Sequence, residues 1–161
     1  MEKFKAIIFD WGNTLMRDFT QYPGPMAFWP EIEVIEGVKE VLKSLKGKYA
    51  LCIATNAGES DTALMIESLK RGEIDIYFDY FFSSKDLGYK KPDPNFFKII
   101  ADKMNVSAMD CVMVGNDYEK DIVGAMQLNM KTIWFNEFGV QIDNAKCDFE
   151  IRSIFDLLEV V

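Results

Sequence analysis

The sequence predicts an α/β protein in which helices cover both faces of a parallel sheet, giving three layers. Two patterns support this fold class. Short apolar runs alternate along the chain with amphipathic segments of helical period. The apolar runs are continuous, which is typical of parallel strands that are covered on both faces. With 161 residues and no repeat, linker or low-complexity tract, the chain is expected to form a single domain over residues 1–161.

Five strands and five helices are predicted in alternation. The strands are the apolar runs Phe4–Phe9, Tyr49–Ala54, Tyr80–Phe82, Cys111–Val114 and Thr132–Phe135. The helices are the segments Glu33–Lys46, Ser60–Arg71, Pro94–Asn105, Tyr118–Leu128 and Ile154–Val160. Gly47 and Gly72 end the first two helices, and Asp93 is the expected N-cap of the third. This order predicts right-handed crossovers between parallel strands.

One irregular segment interrupts the alternation. Residues Phe19–Pro30 contain three prolines, one glycine and four aromatic side chains. The segment is too short for a second domain, so it is predicted to be a loop beside the end of the first strand. Its aromatic residues indicate a packed loop or a homodimer contact rather than a substrate platform.

Composition excludes several classes of function. The net charge of −8 argues against a nucleic acid partner, which would require a basic face. No apolar run approaches the roughly 18–20 residues of a membrane span, so no membrane partner is expected. There is no signal peptide pattern, and the three widely spaced cysteines favour buried thiols in a reducing cytoplasm. The absence of histidine removes histidine-based triads and histidine-rich zinc sites.

Polar side chains follow the carboxyl ends of the predicted strands, where an open parallel sheet binds its ligands. They are Asp10 after the first strand, Thr55 and Asn56 after the second, Lys90 and Lys91 after the third, and Asn116, Asp117 and Asp121 after the fourth. A carboxylate in this position can attack phosphorus, and a lysine and a hydroxyl can stabilise phosphoryl oxygens. The oxygen atoms of the acidic residues suit Mg²⁺.

These motifs resemble those of the haloacid dehalogenase (HAD) superfamily, whose members are mostly magnesium-dependent phosphatases. The resemblance covers nearly the whole chain and rests on four motifs in the expected order. They are Asp10 with Thr14, Thr55 after an apolar strand, Lys91 before Pro-Asp-Pro with Lys90 as the neighbouring alternative, and Gly115-Asn116 followed by Asp121. The resemblance implies a Rossmann-like HAD core and a phosphorylated substrate.

The resemblance also implies the catalytic roles. Asp10 would be the nucleophile that forms an aspartyl-phosphate. Thr55, Asn56 and Lys91 would bind the phosphoryl group, and Lys91 would also restrain Asp10.

The metal site follows from the same resemblance. Mg²⁺ would be bound by Asp10 and by the backbone carbonyl of Gly12. Asn116 stands where the family usually has an aspartate ligand, and Asp117 and Asp121 are the remaining candidates for direct or water-mediated contact.

Gly12 is the main departure from the family pattern. Phosphatases of the family usually have a second aspartate there, which protonates the leaving group and then activates water. General acid–base catalysis raises the reaction rate by about 10²–10⁴-fold, and the loss of this aspartate removes that contribution. Substrates with good leaving groups, such as aryl or acyl phosphates, are therefore expected to react best. Asp18, Glu31 and Glu33 are candidate replacements, whereas Asn13 cannot supply a proton.

The segments between the motifs are short. Neither the stretch from Leu15 to Glu36 nor that from Thr55 to Lys91 has room for the inserted cap domain that many members carry. We therefore expect no cap domain and an open site for a phosphorylated small molecule or macromolecule.

Two interpretations of function remain open from the sequence. The first is a magnesium-dependent phosphatase-like hydrolase, and the second is a catalytically weak or inactive binding or regulatory protein with the same fold. A phospho-receiver domain is disfavoured, because receivers carry the accepting aspartate after the third strand, and here that strand ends in Phe81-Phe82-Ser83.

Overall fold

The computed structural model describes residues 4–161, and its sheet has six parallel strands in the order β3-β2-β1-β4-β5-β6. The strands are β1 Ala6–Phe9, β2 Ala50–Thr55, β3 Tyr80–Ser83, β4 Cys111–Gly115, β5 Lys131–Phe135 and β6 Phe149–Ile151. The predicted fold class and all five predicted strands are confirmed. The sequence did not predict β6, because its three residues, Phe-Glu-Ile, do not form an apolar run.

Helices and single turns connect the strands. The helices are α1 Val38–Leu45, α2 Thr62–Arg71, α3 Ser84–Leu87, α4 Pro94–Met104, α5 Gly124–Met126 and α6 Leu157–Val160. Single turns of 3-10 helix lie at Met26–Phe28, Asp75–Tyr77, Ala108–Asp110 and Ile154–Asp156, and a π-helical turn at Tyr118–Val123 leads into α5. Within residues 4–161, every helix is too short or too polar to cross a lipid bilayer.

The sheet separates two apolar cores, as the continuous apolar strands predict. On one face the strands pack against α1, α2 and α6 through residues such as Phe9, Ile53 and Leu42. On the other face they pack against α4 and α5 through residues such as Ile8 and Phe97. Neighbouring residues of each strand therefore belong to opposite cores, which confirms the three-layer arrangement.

The first predicted helix begins later than expected. The apolar spacing from Glu33 predicted helix there, but α1 begins at Val38, after Gly37 in the left-handed conformation at φ 89°. Val34 instead forms an antiparallel bridge with Met16. A tertiary pairing with the segment after β1 thus replaces the first helical turn.

Strand register brings the motif residues to one edge of the sheet. Phe9 of β1 lies opposite Ile53 of β2 and Val114 of β4. The residues that follow these three therefore end at the same level. Because the chain leaves β1 toward β2 and β3 on one side and returns to β4 on the other, this edge is a topological switch point, where parallel α/β sheets bind ligands.

The irregular segment Phe19–Pro30 packs onto the α2 side of the sheet. The rings of Phe19, Tyr22 and Trp29 contact one another, with centroids 5.8–6.3 Å apart. Phe28 is the exception and is 73% exposed. Three of the four aromatic residues thus form the packed loop that the sequence predicted.

Candidate active site

Lys91 is the centre of a buried polar cluster beside the end of β1. Its Nζ donates hydrogen bonds to Asp10 Oδ1 at 2.8 Å, Asp121 Oδ1 at 2.7 Å and the Ala54 carbonyl oxygen at 3.1 Å. These three contacts use all three N–H donors of the ammonium group. The Lys91 side chain is only 2% exposed, whereas Lys90 is on the surface. The structure therefore places Lys91, not Lys90, at the centre of the cluster.

The charges of this cluster do not cancel. Burial by itself lowers the pKa of the Lys91 ammonium, but the carboxylates of Asp10 and Asp121 outweigh it, and the pKa lies above its usual value. Burial, with the charge of Asp10 adding to it, raises the pKa of Asp121, and Lys91 only partly opposes this. Two carboxylates share one ammonium group, so the cluster carries one more negative than positive charge when both are ionised. Burial and the charge of Asp10 therefore oppose ionisation of Asp121. An approaching phosphate would add to the excess of negative charge.

The backbone of Lys91 is fixed by Asn56. The Asn56 side-chain nitrogen donates to the Lys91 carbonyl oxygen at 2.8 Å, and its side-chain oxygen accepts from the Lys91 N–H at 2.8 Å. This reciprocal pair occupies both ends of the Asn56 amide. Asn56 thus positions the lysine, and its contact with phosphate stays a prediction.

Asp121 approaches the sheet very closely. Its Oδ2 accepts a hydrogen bond from the Asp117 N–H at 3.0 Å, and its side chain is fully buried. A Cβ at Gly115 would lie 2.5 Å from the Asp121 Cβ, so the site requires glycine at that position. The sequence analysis included Gly115 in the fourth motif but did not predict this close approach to Asp121.

Asp117 has a local structural role. Its Oδ1 accepts a hydrogen bond from the Lys120 N–H at 3.0 Å and so caps the π-helical turn. Within residues 4–161, no three His, Cys, Asp or Glu side chains form a metal-binding group. Asp117 and Asp121 lie at the site, where Asp117 Oδ1 serves the cap and the two Asp121 oxygens accept from Lys91 and from the Asp117 N–H. Their contact with a metal stays a prediction.

Three other oxygen positions suit a hard cation. In the orientation that satisfies its hydrogen bonds, the Asn116 amide nitrogen donates to Asp10 Oδ2 at 3.0 Å, the Gly12 carbonyl oxygen at 3.2 Å and Thr14 Oγ1 at 3.1 Å. Turning the amide by 180° places Oδ1 at the same point, where Thr14 donates to it. Ligand oxygens around Mg²⁺ lie about 2.9 Å apart, given bonds of about 2.0–2.1 Å in octahedral geometry. With the Asn116 amide turned so that Oδ1 faces Asp10 and Gly12, the residues present fit Mg²⁺ through one carboxylate, one carbonyl and one amide oxygen.

Two adjoining cavities open at this edge of the sheet. The first, of about 210 Å³, contains the polar cluster. The second, of about 240 Å³, is lined by Trp11 after β1, by Met26 and Trp29 of the packed loop, and by the turn after β2. Both cavities are lined by Gly12, Asp18, Thr55 and Asn56. Thr55 is 5% exposed at the end of β2, as its strand-end position predicted.

The fold and the site together define the class of this protein: a Rossmann-like α/β protein with a strand-end aspartate held by a buried lysine at the switch point of the sheet. Residues 7–135 match the haloacid dehalogenase-like hydrolase family. The chain belongs to this family, which confirms the resemblance inferred from the motifs.

Known proteins extend this assignment. Over 133 residues the chain is 33% identical to the glyceraldehyde 3-phosphate phosphatase of Pyrococcus abyssi, which covers 79% of this chain and 54% of the relative. The chain thus spans about half the length of that curated relative. The crystal structure of an uncharacterized protein from Listeria monocytogenes serotype 4b aligns with a TM-score of 0.86 and 26% identity, over 97% of this chain and 96% of that one.

A further solved structure is similar in fold alone. The putative HAD-hydrolase YfnB from Bacillus subtilis, bound to magnesium, aligns with a TM-score of 0.82 and 15% identity over 99% of both chains.

Proposed function

We propose that this protein is a magnesium-dependent phosphomonoester hydrolase that acts through an aspartyl-phosphate intermediate. The observation that carries the proposal is the buried Lys91 clamped between Asp10 and Asp121 beside a polar cavity at the switch point. This arrangement holds one carboxylate at a fixed position, where it lines a cavity of about 210 Å³ that can admit a phosphoryl group. The name of the Pyrococcus abyssi relative supports a phosphatase activity.

In the proposed reaction, Asp10 attacks phosphorus and the ester oxygen leaves. Lys91 fixes the orientation of Asp10 and offsets its charge, because Nζ lies 2.8 Å from Oδ1. Thr55 lines the same cavity and would donate a hydrogen bond to a phosphoryl oxygen. Mg²⁺ bound by Asp10, the Gly12 carbonyl and Asn116 would supply the positive charge that offsets the carboxylate and the phosphate.

The substrate is proposed as a class only. It is a phosphorylated small molecule or macromolecule that reaches the site without a cap domain. We place the protein in the cytoplasm, because its three cysteines are unbridged. We expect no nucleic acid or membrane partner, and the exposed Phe28 is the residue that we would examine first in a homodimer.

A panel of aryl, acyl and alkyl phosphates, assayed with and without Mg²⁺, tests the proposed reaction. We expect Mg²⁺-dependent turnover, fastest on aryl or acyl phosphates, and loss of turnover in Asp10→Asn. The matched control is Asp102→Asn, which changes an exposed carboxylate on α4. Turnover that survives in a folded Asp10→Asn variant would show that Asp10 is not the nucleophile.

One second function is favoured by Gly12 and Asn116. Both residues stand where the family usually has carboxylates, and their replacement weakens proton transfer and metal binding. A protein with this site would keep the fold for binding or regulation. Absence of turnover together with absence of Mg²⁺-dependent binding of a phosphate mimic would favour this function. Binding and turnover are therefore measured on the same preparation.

A further inference from the structure

We propose that Asp18 is the proton-transferring residue of the reaction and takes the place of the carboxylate that is missing at position 12. The inference rests on the proposed function and extends it by one catalytic residue. Asp18 comes six positions after Gly12 in the chain, and only the fold brings the two together.

The first observation is the contact between Asp18 and Gly12. A Cβ at position 12 would lie 3.4 Å from the Asp18 Cβ and 3.7 Å from its Oδ2. The Asp18 carboxylate thus occupies the space next to the position from which an aspartate at 12 would extend. A carboxyl group at position 18 can therefore reach the same region of the site as one at position 12.

The turn between these residues holds Asp18 in this position. Asn13 adopts the left-handed conformation at φ 60°, and its Oδ1 accepts a hydrogen bond from the Asp18 N–H at 3.0 Å. Its own N–H donates to the Met16 carbonyl oxygen at 2.6 Å. The chain therefore folds back over Gly12 directly after β1. Within residues 4–161 the Asp18 carboxylate has no hydrogen-bond or ion-pair partner of its own, so it is free for proton transfer.

The second observation is the location of Asp18 between the two cavities. Among residues 4–161, Asp18 is the one carboxylate that lines both the polar cavity with Asp10 and the adjoining cavity with Trp11 and Trp29. A phosphate ester with its phosphoryl group near Asp10 would extend its organic group into the second cavity. The bridging ester oxygen then lies at the junction, beside Asp18, and this oxygen is the atom that needs a proton.

The other two acids suggested by the sequence do not share this location. Glu31 accepts a hydrogen bond from the Tyr22 hydroxyl at 2.8 Å and lines neither cavity. Glu33 is exposed, as Asp18 is, but it lines neither cavity. The structure thus separates three candidates that the sequence left equivalent.

Two proton transfers complete the reaction. As Asp10 forms its bond to phosphorus, the bond from phosphorus to the ester oxygen breaks, and the Asp18 carboxyl proton passes to that oxygen to release the alcohol. The Asp18 carboxylate then takes a proton from water as the water oxygen attacks phosphorus, and the bond to Asp10 breaks. The products are an alcohol and inorganic phosphate, and both aspartates return to their starting states.

Asp18→Asn tests the proposal on two substrates of different leaving-group strength. For an alkyl phosphate such as glycerol phosphate, kcat/KM is expected to fall about 10²–10⁴-fold, because the alkoxide needs a proton. For nitrophenyl phosphate, kcat/KM should change little, since nitrophenolate leaves without one. The kcat on nitrophenyl phosphate should fall, with a burst of nitrophenol, because breakdown of the phosphoenzyme loses its base.

Two matched sets of variants separate catalysis from structure. Glu33→Gln changes an exposed carboxylate of the same connection and should leave both substrates unaffected. In the Asp18→Asn background, Gly12→Asp should restore turnover of the alkyl phosphate, whereas Gly12→Asn should not. Position 12 accepts a side chain, because its Cβ would make only ordinary contacts.

An equal effect of Asp18→Asn on both substrates, or no effect on either, would overturn the role of Asp18 while Asp10-dependent turnover still supported the proposed function. Turnover that does not depend on Asp10, or none at all in the wild type, would instead overturn the proposed function, and the role of Asp18 with it.

Discussion

At the scale of single residues, the site depends on one buried ammonium group. Lys91 contacts two carboxylates that would otherwise be buried without a counter-charge. A buried ion pair adds little net stability, but removing one partner is strongly destabilising, because the remaining charge stays buried without a counter-charge. The lysine is thus needed for the folded state as well as for any chemistry of Asp10.

Lys91→Met is expected to lower the free energy of unfolding by about 3–5 kcal/mol, because it leaves Asp10 and Asp121 buried without their partner. Urea unfolding followed by circular dichroism measures the change. Lys90→Met, the exposed neighbour, is the control and should stay within about 0.5 kcal/mol of the wild type. If the free energy of unfolding fell no further in Lys91→Met than in this control, the stabilising role of the Lys91 ion pairs would be contradicted.

The sequence predicted the identity of these residues better than their contacts. Asp10, Thr55 and Lys91 were named from strand-end positions and motif spacing, and the structure brings them to one cavity. Asn56 and Asp121 were also named, but their partners were not, because a side chain that holds a lysine and one that binds a ligand have the same sequence signal.

At the scale of elements, the packed loop is attached to the end of α2. The Arg71 guanidinium donates hydrogen bonds to the carbonyl oxygens of Met26, Ala27 and Trp29, at 3.1, 3.2 and 2.7 Å. Because the loop has few backbone hydrogen bonds of its own, such side-chain contacts help to hold its conformation. Because Met26 and Trp29 line the second cavity, Arg71 also shapes the proposed leaving-group space.

Arg71→Met should loosen the loop without unfolding the sheet, since it removes the hydrogen bonds of one guanidinium to three loop carbonyl oxygens, and a hydrogen bond to a charged group contributes about 1.5–3 kcal/mol. Hydrogen exchange followed by mass spectrometry would show faster exchange in residues 19–30. Lys70→Met, at the neighbouring exposed position, is the control. Unchanged exchange in Arg71→Met would indicate that the aromatic contacts alone hold the loop.

Element boundaries show where local pattern fails. The apolar spacing that predicted helix from Glu33 is also compatible with an extended segment, and the bridge between Val34 and Met16 decides between them. Strand β6 is ordered by pairing with β5, from Ile133 opposite Phe149 to Phe135 opposite Ile151. Val34 and β6 each pair with a segment more than ten residues away in the sequence, so local periodicity predicts neither pairing.

At the scale of the whole molecule, the two cores determine which thiols meet solvent. Burial raises the pKa of the Cys52 thiol well above its usual value. Burial, with the charge of Asp110, raises the pKa of Cys111 to about 11. Cys147 is only partly buried, although burial and neighbouring carboxylates also raise the pKa of its thiol.

A native sample at pH 8 is therefore expected to release one equivalent of thionitrobenzoate from Ellman's reagent, from Cys147. A raised pKa means less thiolate at a given pH, and the buried thiols lack access as well. The reaction should speed up as pH rises toward the pKa of Cys147. Cys147→Ser should abolish the native reaction, and urea should expose the remaining thiols; rapid reaction of two or more thiols in the native state would contradict the packing.

The local sequence pattern predicted five of the six strands, the main helices between them, the parallel sheet and the four groups at its carboxyl edge. Periodicity and motif spacing are local properties, and parallel strands necessarily bring their ends to one edge. The tertiary structure alone decided which lysine is buried, how Asp121 and Asn56 are used, and which acid lies over Gly12. Those outcomes are distances between separate segments, such as the 2.8 Å between Lys91 Nζ and Asp10 Oδ1 across 81 positions of the chain.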